Sequence, residues 1–178
     1  MRDVVLYALL SLDGVAEEPG NWMFQADDDV FTNLADVIST QDDILLGRET
    51  YDYWADYWPT SDVQPFADFI NRTTKHVFTS SQPVQSWSES VLADAPLITY
   101  VERLKDRPGA DIGVHGSIRL ARDLMAADLV DRLELVIAPT LAGSGRHLLS
   151  EAGDLRRLSL SKATRSSTGC VFLAYQRH

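Results

Sequence analysis

The segment Leu45-Leu46-Gly47-Arg48-Glu49-Thr50-Tyr51 joins a short apolar strand to a helix, with a glycine at the junction. The strand is predicted over 43–47 and the helix over 48–57, where Pro59 stops it. A helix amino terminus presents free N–H groups and positive potential, which suit a phosphate. Gly47 lets a ligand approach the backbone, Arg48 adds a guanidinium fork and Thr50 adds a hydroxyl donor. The segment therefore predicts a phosphate site, with an exposed arginine beside an ordinary helix start as the open alternative.

Strands and helices alternate on both sides of this segment. Val4 to Leu10 is apolar at almost every position, which indicates a strand buried on both faces inside a sheet. Asp27-Asp28-Asp29 opens a first helix, and Ser61-Asp62-Val63-Gln64 predicts a capping box for a short third helix. Further strands are predicted at 75–79, 91–92, 111–114 and 133–138, and further helices at 97–104 and 117–127.

The carboxyl end breaks this alternation, because two strands follow one another there. Leu158-Ser159-Leu160 and 171–175 are predicted to form an antiparallel hairpin around Ser167-Thr168-Gly169. The expected fold is therefore α/β, with a mixed, mostly parallel sheet that ends in an antiparallel hairpin. Since no linker, repeat or low-complexity stretch interrupts the sequence, we expect one domain over residues 1–178.

Composition and charge limit the classes of function. The chain has 178 residues, a formal net charge of -10 and a single cysteine, Cys170. An acidic protein without a basic run is a poor candidate for binding nucleic acid or an anionic membrane. One cysteine excludes a disulfide framework within the chain. No apolar run approaches the ~20 residues of a transmembrane helix, and the amino terminus lacks a signal-peptide pattern, so we expect a cytoplasmic protein.

A second junction of strand and helix occurs at Val114-His115-Gly116-Ser117-Ile118. Its N–H groups are expected at the carboxyl edge of the sheet, where ligands of open α/β sheets bind. A tight turn with Ser117 as the helix cap explains the same residues without a ligand. Ser80 and Ser81 follow another strand, and their hydroxyls suit an adenosine phosphate, although serines also form ordinary loops.

The end of the first strand carries a hydroxyl, a carboxylate and an aromatic ring, from Ser11, Asp13 and Trp22. This set suits a pocket in which Asp13 contacts a polar substrate group or relays a proton. An Asp-Gly turn is an equal alternative. The run Asp27-Asp28-Asp29 also offers carboxylates for a substrate, although a solvated helix start is the simpler interpretation.

Other chemistries find less support in the sequence. The four histidines, at 76, 115, 147 and 178, lack metal-ligand spacing, so no metal site is predicted. The sequence contains no nucleophile elbow, no Gly-Lys-Ser/Thr loop and no GxGxxG motif. The aromatic residues between Tyr51 and Trp58 favour core packing or a dimer contact over ligand stacking.

Five segments in order resemble the dihydrofolate reductase-like superfamily and, more closely, the reductase domain of the bifunctional riboflavin-biosynthesis deaminase/reductase. They are 11–14, 45–51, 115–117, 129–135 and 139–145, and the resemblance covers nearly the whole chain. It identifies the chain as a stand-alone member of that family. It implies a three-layer α/β/α fold, a homodimer, and NADPH bound along the carboxyl edge of the sheet.

The resemblance also implies roles for individual residues. Gly47, Arg48 and Thr50 are implied to bind the cofactor phosphates, and Ser80 and Ser81 are implied to contact the adenosine end of the cofactor. A second group of residues is implied for the pyrophosphate and the substrate: Gly116, Ser117 and Ile118 for the pyrophosphate, and Ser11 and Asp13 beside the substrate and nicotinamide.

Two main hypotheses of function follow, and a purely structural dimer module that binds no nucleotide is a third. The first is an NADPH-dependent reductase of a small heterocyclic or carbonyl substrate bound near Trp22 and Asp13, with Asp13 as the catalytic candidate. The second is a non-catalytic nucleotide-binding or ligand-sensing homodimer on the same fold, because a fold alone does not fix function. Turnover of NADPH with a panel of substrates discriminates between them.

Overall fold

The computed structural model describes residues 1–24, 26–149 and 155–178. The strands within these residues are β1 Val4–Ser11, β2 Gln41–Gly47, β3 Thr74–Phe78, β4 Ser90–Leu92, β5 Asp111–Val114, β6 Arg132–Ala138, β7 Leu158–Arg165 and β8 Val171–Arg177. The α-helices within the same residues are α1 Asp28–Ile38, α2 Arg48–Tyr57, α3 Phe66–Arg72, α4 Leu97–Lys105 and α5 Ile118–Ala126.

The strands form one sheet in the order β4-β3-β2-β5-β1-β6-β8-β7. Every pair from β4 to β6 is parallel, whereas β8 runs antiparallel to both β6 and β7. This arrangement confirms the predicted mixed sheet with an antiparallel carboxyl-terminal hairpin. Because β1, β2, β3 and β5 are parallel, their carboxyl ends lie along one edge of the sheet.

Helices cover both faces of the sheet, as predicted for a three-layer fold. Leu6 and Ile112 face the layer formed by α4 and α5. Val5 packs against α1 on the other face, and Ile44 packs against α2 and α3 there. Burying an aliphatic side chain of this size stabilises the fold by about 1.5–3 kcal/mol. The alternation of Val5 and Leu6 between two helix layers explains why β1 is apolar throughout, and the prediction of an interior strand is confirmed.

The capping box predicted at Ser61–Gln64 is wrong. Ser61 Oγ accepts from the Val63 amide at 3.3 Å, but helix α3 begins only at Phe66. Pro65 occupies the position before the helix, and the residue that precedes a proline is disfavoured from the α conformation. The local Ser-x-x-Gln pattern is therefore overridden by the proline that follows it.

The carboxyl-terminal hairpin is longer than predicted, since β7 extends to Arg165. The turn at Ser167 and Thr168 is joined to the start of α1 by the carboxylates of Asp27 and Asp29. Within the described part of the chain, no helix has the length and apolar character needed to cross a membrane.

Candidate active site

A cleft of about 1420 Å³ lies where β2, β3 and β5 end at the carboxyl edge of the sheet. Its walls contain seven of the eight residues that the sequence assigned to a cofactor: Gly47, Arg48, Thr50, Ser80, Gly116, Ser117 and Ile118. The eighth, Ser81, accepts a hydrogen bond from the Arg48 guanidinium. The fold thus brings three separate strand ends to one cleft, and the assigned roles stay predictions.

Helix α2 begins at the cleft directly after Gly47. Gly47 occupies the N-cap position, where it has no side chain to accept from the first amides of the helix. Those amides remain available as donors for a ligand, together with the positive end of the helix dipole. Gly47 has an extended backbone that any residue can adopt, so the need for glycine is steric. A Cβ at this position would lie 3.0 Å from Ser117 Oγ.

Helix α5 begins on the opposite wall of the cleft. Ser117 is its N-cap, and its Oγ accepts from the Leu120 amide at 3.3 Å. The peptide between Gly116 and Ser117 is cis. A Cβ on Gly116 would lie 3.2 Å from Thr50 Cγ2 and 3.8 Å from Trp54 Cζ2. The two strand–helix junctions therefore pack against each other through their glycines, which forms a cradle of backbone amides.

Arg48 reaches from the first turn of α2 towards the loop after β3. Its side chain is 40% exposed, and its Nε donates to Asp52 at 3.1 Å. Its Nη1 donates to the hydroxyl of Ser81, whose carbonyl in turn accepts from Thr79 Oγ1. The predicted phosphate-binding arginine is therefore placed beside the predicted adenosine loop, where it is already engaged by one carboxylate and one hydroxyl.

Ser11 and Asp13 lie at the end of β1 and hold a turn. Ser11 Oγ donates to Asp13 Oδ1 at 2.6 Å and accepts from the Val15 amide at 2.9 Å. Asp13 also accepts from the amides of Ala142 and Gly143, at 2.9 and 2.8 Å. These donors hold the pKa of the Asp13 carboxyl far below its usual range, with Ser11 the largest cause. The geometry favours the turn interpretation of Asp13, and its predicted catalytic role gains no support.

Trp22 packs in the core instead of on the cleft wall. Its side chain is buried against Val5, Tyr7 and Val30, and its indole Nε1 donates to the Glu17 carbonyl at 2.8 Å. The ring therefore anchors the loop that follows β1. The predicted contact between Trp22 and a substrate remains a prediction without geometric support.

The acidic run at the start of α1 has a structural role. Asp27 is the N-cap residue, and its Oδ1 accepts from the Val30 amide at 3.0 Å. Its other oxygen accepts from Thr168 Oγ1 at 2.6 Å, and Asp29 accepts from the Ser167 amide at 2.8 Å. Hydrogen bonds from the turn lower the pKa of Asp27, with the Thr168 hydroxyl as the largest cause. The helix-start interpretation thus accounts for these carboxylates.

His115 lies directly before the Gly116 turn and faces away from the cleft. Its Nε2 is 2.7 Å from Gln41 Oε1, and its ring packs among those of Tyr7, Phe66 and Phe69. Burial lowers the pKa of His115 to about 3, so the imidazole is neutral at physiological pH. His115 therefore supports the turn by packing and does not supply positive charge to a phosphate.

Several residues of the cleft were not assigned to a binding site from the sequence. The loop at 16–21 and the residues Trp54, Arg119 and Arg146 contribute to its walls. Arg119 adjoins the predicted Gly116-Ser117-Ile118 turn, so its position on the first turn of a helix was a usable signal. Arg146 is placed by its ion pair with Glu17, 129 positions away in sequence, which no local pattern reveals.

Comparisons with known proteins agree with this architecture. Residues 2–172 match the RibD C-terminal domain family. Uncharacterized protein YwjB of Bacillus subtilis (strain 168) is 30% identical over 179 residues, which cover 99% of this chain and 98% of YwjB.

Two crystal structures share the fold at low sequence identity. A putative riboflavin biosynthesis protein from Shewanella sp. PV-4 superposes with a TM-score of 0.81 at 17% identity, over 99% of both chains. A pyrimidine reductase-like protein from Corynebacterium diphtheriae gives a TM-score of 0.69 at 19% identity, over 99% of this chain and 92% of the other.

The sheet order and the cleft at its carboxyl edge define a dihydrofolate reductase-like α/β protein. The match over residues 2–172 is more specific, and the chain belongs to the RibD C-terminal domain family. The resemblance that the sequence motifs indicated is thereby confirmed. The chain carries a reductase-like domain.

Proposed function

We propose that this protein is an NADPH-dependent reductase of a small heterocyclic or carbonyl substrate. One observation carries the proposal: seven of the eight residues assigned to the cofactor from sequence line a single cleft of about 1420 Å³. Two helix amino termini open into that cleft, from α2 and α5. Such ends bind phosphates through backbone amides and dipole, so the cleft offers two anion sites for one dinucleotide.

The residues present fit a dinucleotide. The N-cap of α2 makes no side-chain hydrogen bond to its helix, so its first amides are free to bind a phosphate. Gly47 and Gly116 leave space that a Cβ would fill, at 3.0 Å from Ser117 Oγ and 3.2 Å from Thr50 Cγ2. When bound, the nicotinamide supplies the hydride, and the protein supplies binding and orientation.

Each wall of the cleft has its own task in this proposal. Arg48 and Ser81, which are hydrogen-bonded to each other, bind the phosphate on the adenosine ribose that distinguishes NADPH from NADH. Ser80 completes that end, and Thr50 adds a hydroxyl near Gly116. The loop at 16–21 closes the other end, where the substrate meets the cofactor.

The test is a titration of the protein with NADPH and with NADH. Binding is measured by the quenching of tryptophan fluorescence, since Trp54 lies in the cleft wall. Arg48→Ala should weaken NADPH by roughly 10-fold and NADH by less than 3-fold, because only NADPH carries the extra phosphate. Arg72→Ala is the matched control, since Arg72 is an exposed arginine with a similar i,i+4 aspartate partner, Asp68. An equal loss of both nucleotides in Arg48→Ala refutes the assignment of Arg48.

A second candidate function is a nucleotide-binding or ligand-sensing protein without catalysis. The engagement of Asp13 by three donors favours it, since the predicted proton-relay group is held as an anion. Oxidation of NADPH with a panel of pterins, pyrimidines and quinones decides between the two. Turnover at an enzyme-like rate with any of them rules out the second function, whereas tight NADPH binding without turnover supports it.

A further inference from the structure

A second cavity, of about 380 Å³, lies at the edge of the sheet opposite to the cleft. It is formed where β6 and β7 begin and where β8, which is antiparallel to both, ends. Helix α5 connects the two places, since Ser117 caps it at the cleft and Met125 in its last turn lines the cavity. The volume lies within the range of about 300–1,000 Å³ that is typical of small-molecule sites.

The floor of this cavity is apolar. Met125 and Leu133 are buried there as part of the main core, and Val130 and Tyr175 pack against the same core. Leu158, at the start of β7, is 41% exposed and completes the wall. Such a floor favours an aromatic or aliphatic ligand group, because that group leaves water when it binds.

Three arginines surround the apolar floor. Arg177 donates to Asp131 at 3.1 Å, and Arg156 donates to the Ala126 carbonyl at 2.8 Å, so both guanidinium groups are held at the rim. Arg157 is exposed between them in the sequence and makes neither an ion pair nor a hydrogen bond within the described residues.

The two carboxylates at the rim are already engaged by donors of the protein. Asp131 accepts from the Val4 amide at 2.8 Å and from the side chains of Lys105 and Arg177. Asp128 accepts from Arg177 at 3.2 Å. Three arginines therefore face two carboxylates, and Lys105 further neutralises one of these carboxylates.

The carboxyl-terminal hairpin carries only basic charges. Residues 155–178 contain no aspartate or glutamate, although the whole chain has a formal net charge of -10. The basic residues of this segment are Arg156, Arg157, Lys162, Arg165 and Arg177. A local positive field attracts anions even on a protein with a negative net charge. The cavity thus combines an apolar floor with a cationic rim.

We propose that this cavity is a second ligand site, which binds a small carboxylate with an aromatic body. The ring occupies the floor between Met125 and Tyr175, and Arg157 binds the carboxylate at the rim. This site is independent of the proposed reductase function, because the cavity and the cleft share no lining residue within the described part of the chain.

The test uses 2-naphthoate as the probe and 2-naphthamide as its uncharged isostere, with binding measured by ligand-observed NMR titration. Wild-type protein should bind 2-naphthoate about 10-fold more tightly than 2-naphthamide, since only the carboxylate pairs with guanidinium groups. Arg157→Ala should weaken 2-naphthoate about 5-fold and leave 2-naphthamide within about 2-fold of wild type. Leu158→Trp should weaken both probes about 5-fold, because the larger side chain takes up space in the cavity.

Arg165→Ala is the matched control, since it removes an arginine of the same hairpin that does not line the cavity. It should bind both probes as wild type does. Thermal denaturation of each variant establishes that it is folded.

Four results overturn the proposal. They are a wild-type protein that binds neither probe, an unchanged affinity for 2-naphthoate in Arg157→Ala, an equal loss in Arg165→Ala, and a loss in Arg119→Ala. The third would mean that the charge of the hairpin attracts the probe without the cavity. The fourth would place the probe in the cleft, whose wall contains Arg119.

A second copy of the chain is the other candidate occupant of the cavity. Leu160 faces the same side of the hairpin as Leu158, because the two residues lie opposite Tyr175 and Arg177 of β8. Leu160→Lys should therefore bind 2-naphthoate as wild type does if a small ligand occupies the cavity. Binding that appears only in Leu160→Lys, together with a change from dimer to monomer in light scattering, would assign the cavity to a second copy and overturn the proposal.

Discussion

The neutral imidazole of His115 makes the stability of this protein depend on pH in a defined window. Burial lowers the pKa of His115 from 6.5 to about 3 in the folded chain. Between these values the unfolded chain binds more protons than the folded chain, so stability rises with pH there. The contribution is fully present above pH 6.5 and is lost as the pH falls towards 3.

The size of the effect follows from the two pKa values. Protonation of this one histidine in the unfolded chain lowers the free energy of unfolding at pH 5 by about 2 kcal/mol, relative to its value well above pH 6.5. In a chain of this length, 1 kcal/mol shifts the melting temperature by about 2–4 °C. Acidification from pH 7 to pH 5 should therefore cost wild-type protein roughly 4–8 °C through His115 alone.

The assay is thermal denaturation of wild type and His115→Gln at pH 7 and pH 5. At pH 7 the variant should be the less stable protein, since it loses the ring contacts with Tyr7 and Phe66. Between pH 7 and pH 5 it should lose less stability than wild type, by about 2 kcal/mol. His178→Gln, which changes an exposed histidine, should follow wild type. Equal losses of stability in wild type and His115→Gln between pH 7 and pH 5 would refute the reasoning. They would mean that the pKa of His115 is not lowered in the folded chain.

Three other changes test separate parts of the structure. Gly47→Ala places a Cβ 3.0 Å from Ser117 Oγ, so it should lower stability by about 1 kcal/mol in thermal melting and weaken NADPH binding in a titration. Unchanged NADPH binding would mean that the cofactor does not use the backbone amides beside Gly47 and Gly116. Asp13→Asn should weaken the hydrogen bond that the Gly143 amide donates to this side chain, but it should leave the shape of any pH–rate profile unchanged. If one limb of the profile is lost, Asp13 is the catalytic group after all. We propose that Leu160 lies at the centre of a homodimer interface, because it is 55% exposed on the edge strand β7. Leu160→Lys should therefore convert dimers to monomers, as measured by light scattering. A wild-type protein that is already monomeric contradicts this proposal.

The fold was largely predictable because its determinants are local or periodic. The unbroken apolar run at 4–10 requires burial on both faces, and β1 indeed lies between two parallel neighbours. Each strand–helix junction carries its own start signal, as at Gly47 and Ser117. The error at Ser61–Gln64 has a local cause too, since Pro65 stands between the capping pattern and the helix. A four-residue capping pattern therefore does not specify a helix start when a proline follows it directly.

The candidate site was predictable only in part, because its chemistry depends on which charges are already paired. Sequence identifies Arg48 by its place after Gly47, but it does not reveal that Asp52 and Ser81 hold the guanidinium. It offers Asp13 as a catalyst or a turn residue with equal weight, and the deciding donors come from 142 and 143, far along the chain. The contribution of a charged group to binding depends on how far it is already paired after folding, and pairing is set by tertiary contacts. Arg119 is an example, because it lies at a predicted helix start and lines the cleft. Only the folded arrangement shows that Arg48 and Arg146 have carboxylate partners while Arg119 has none among the described residues.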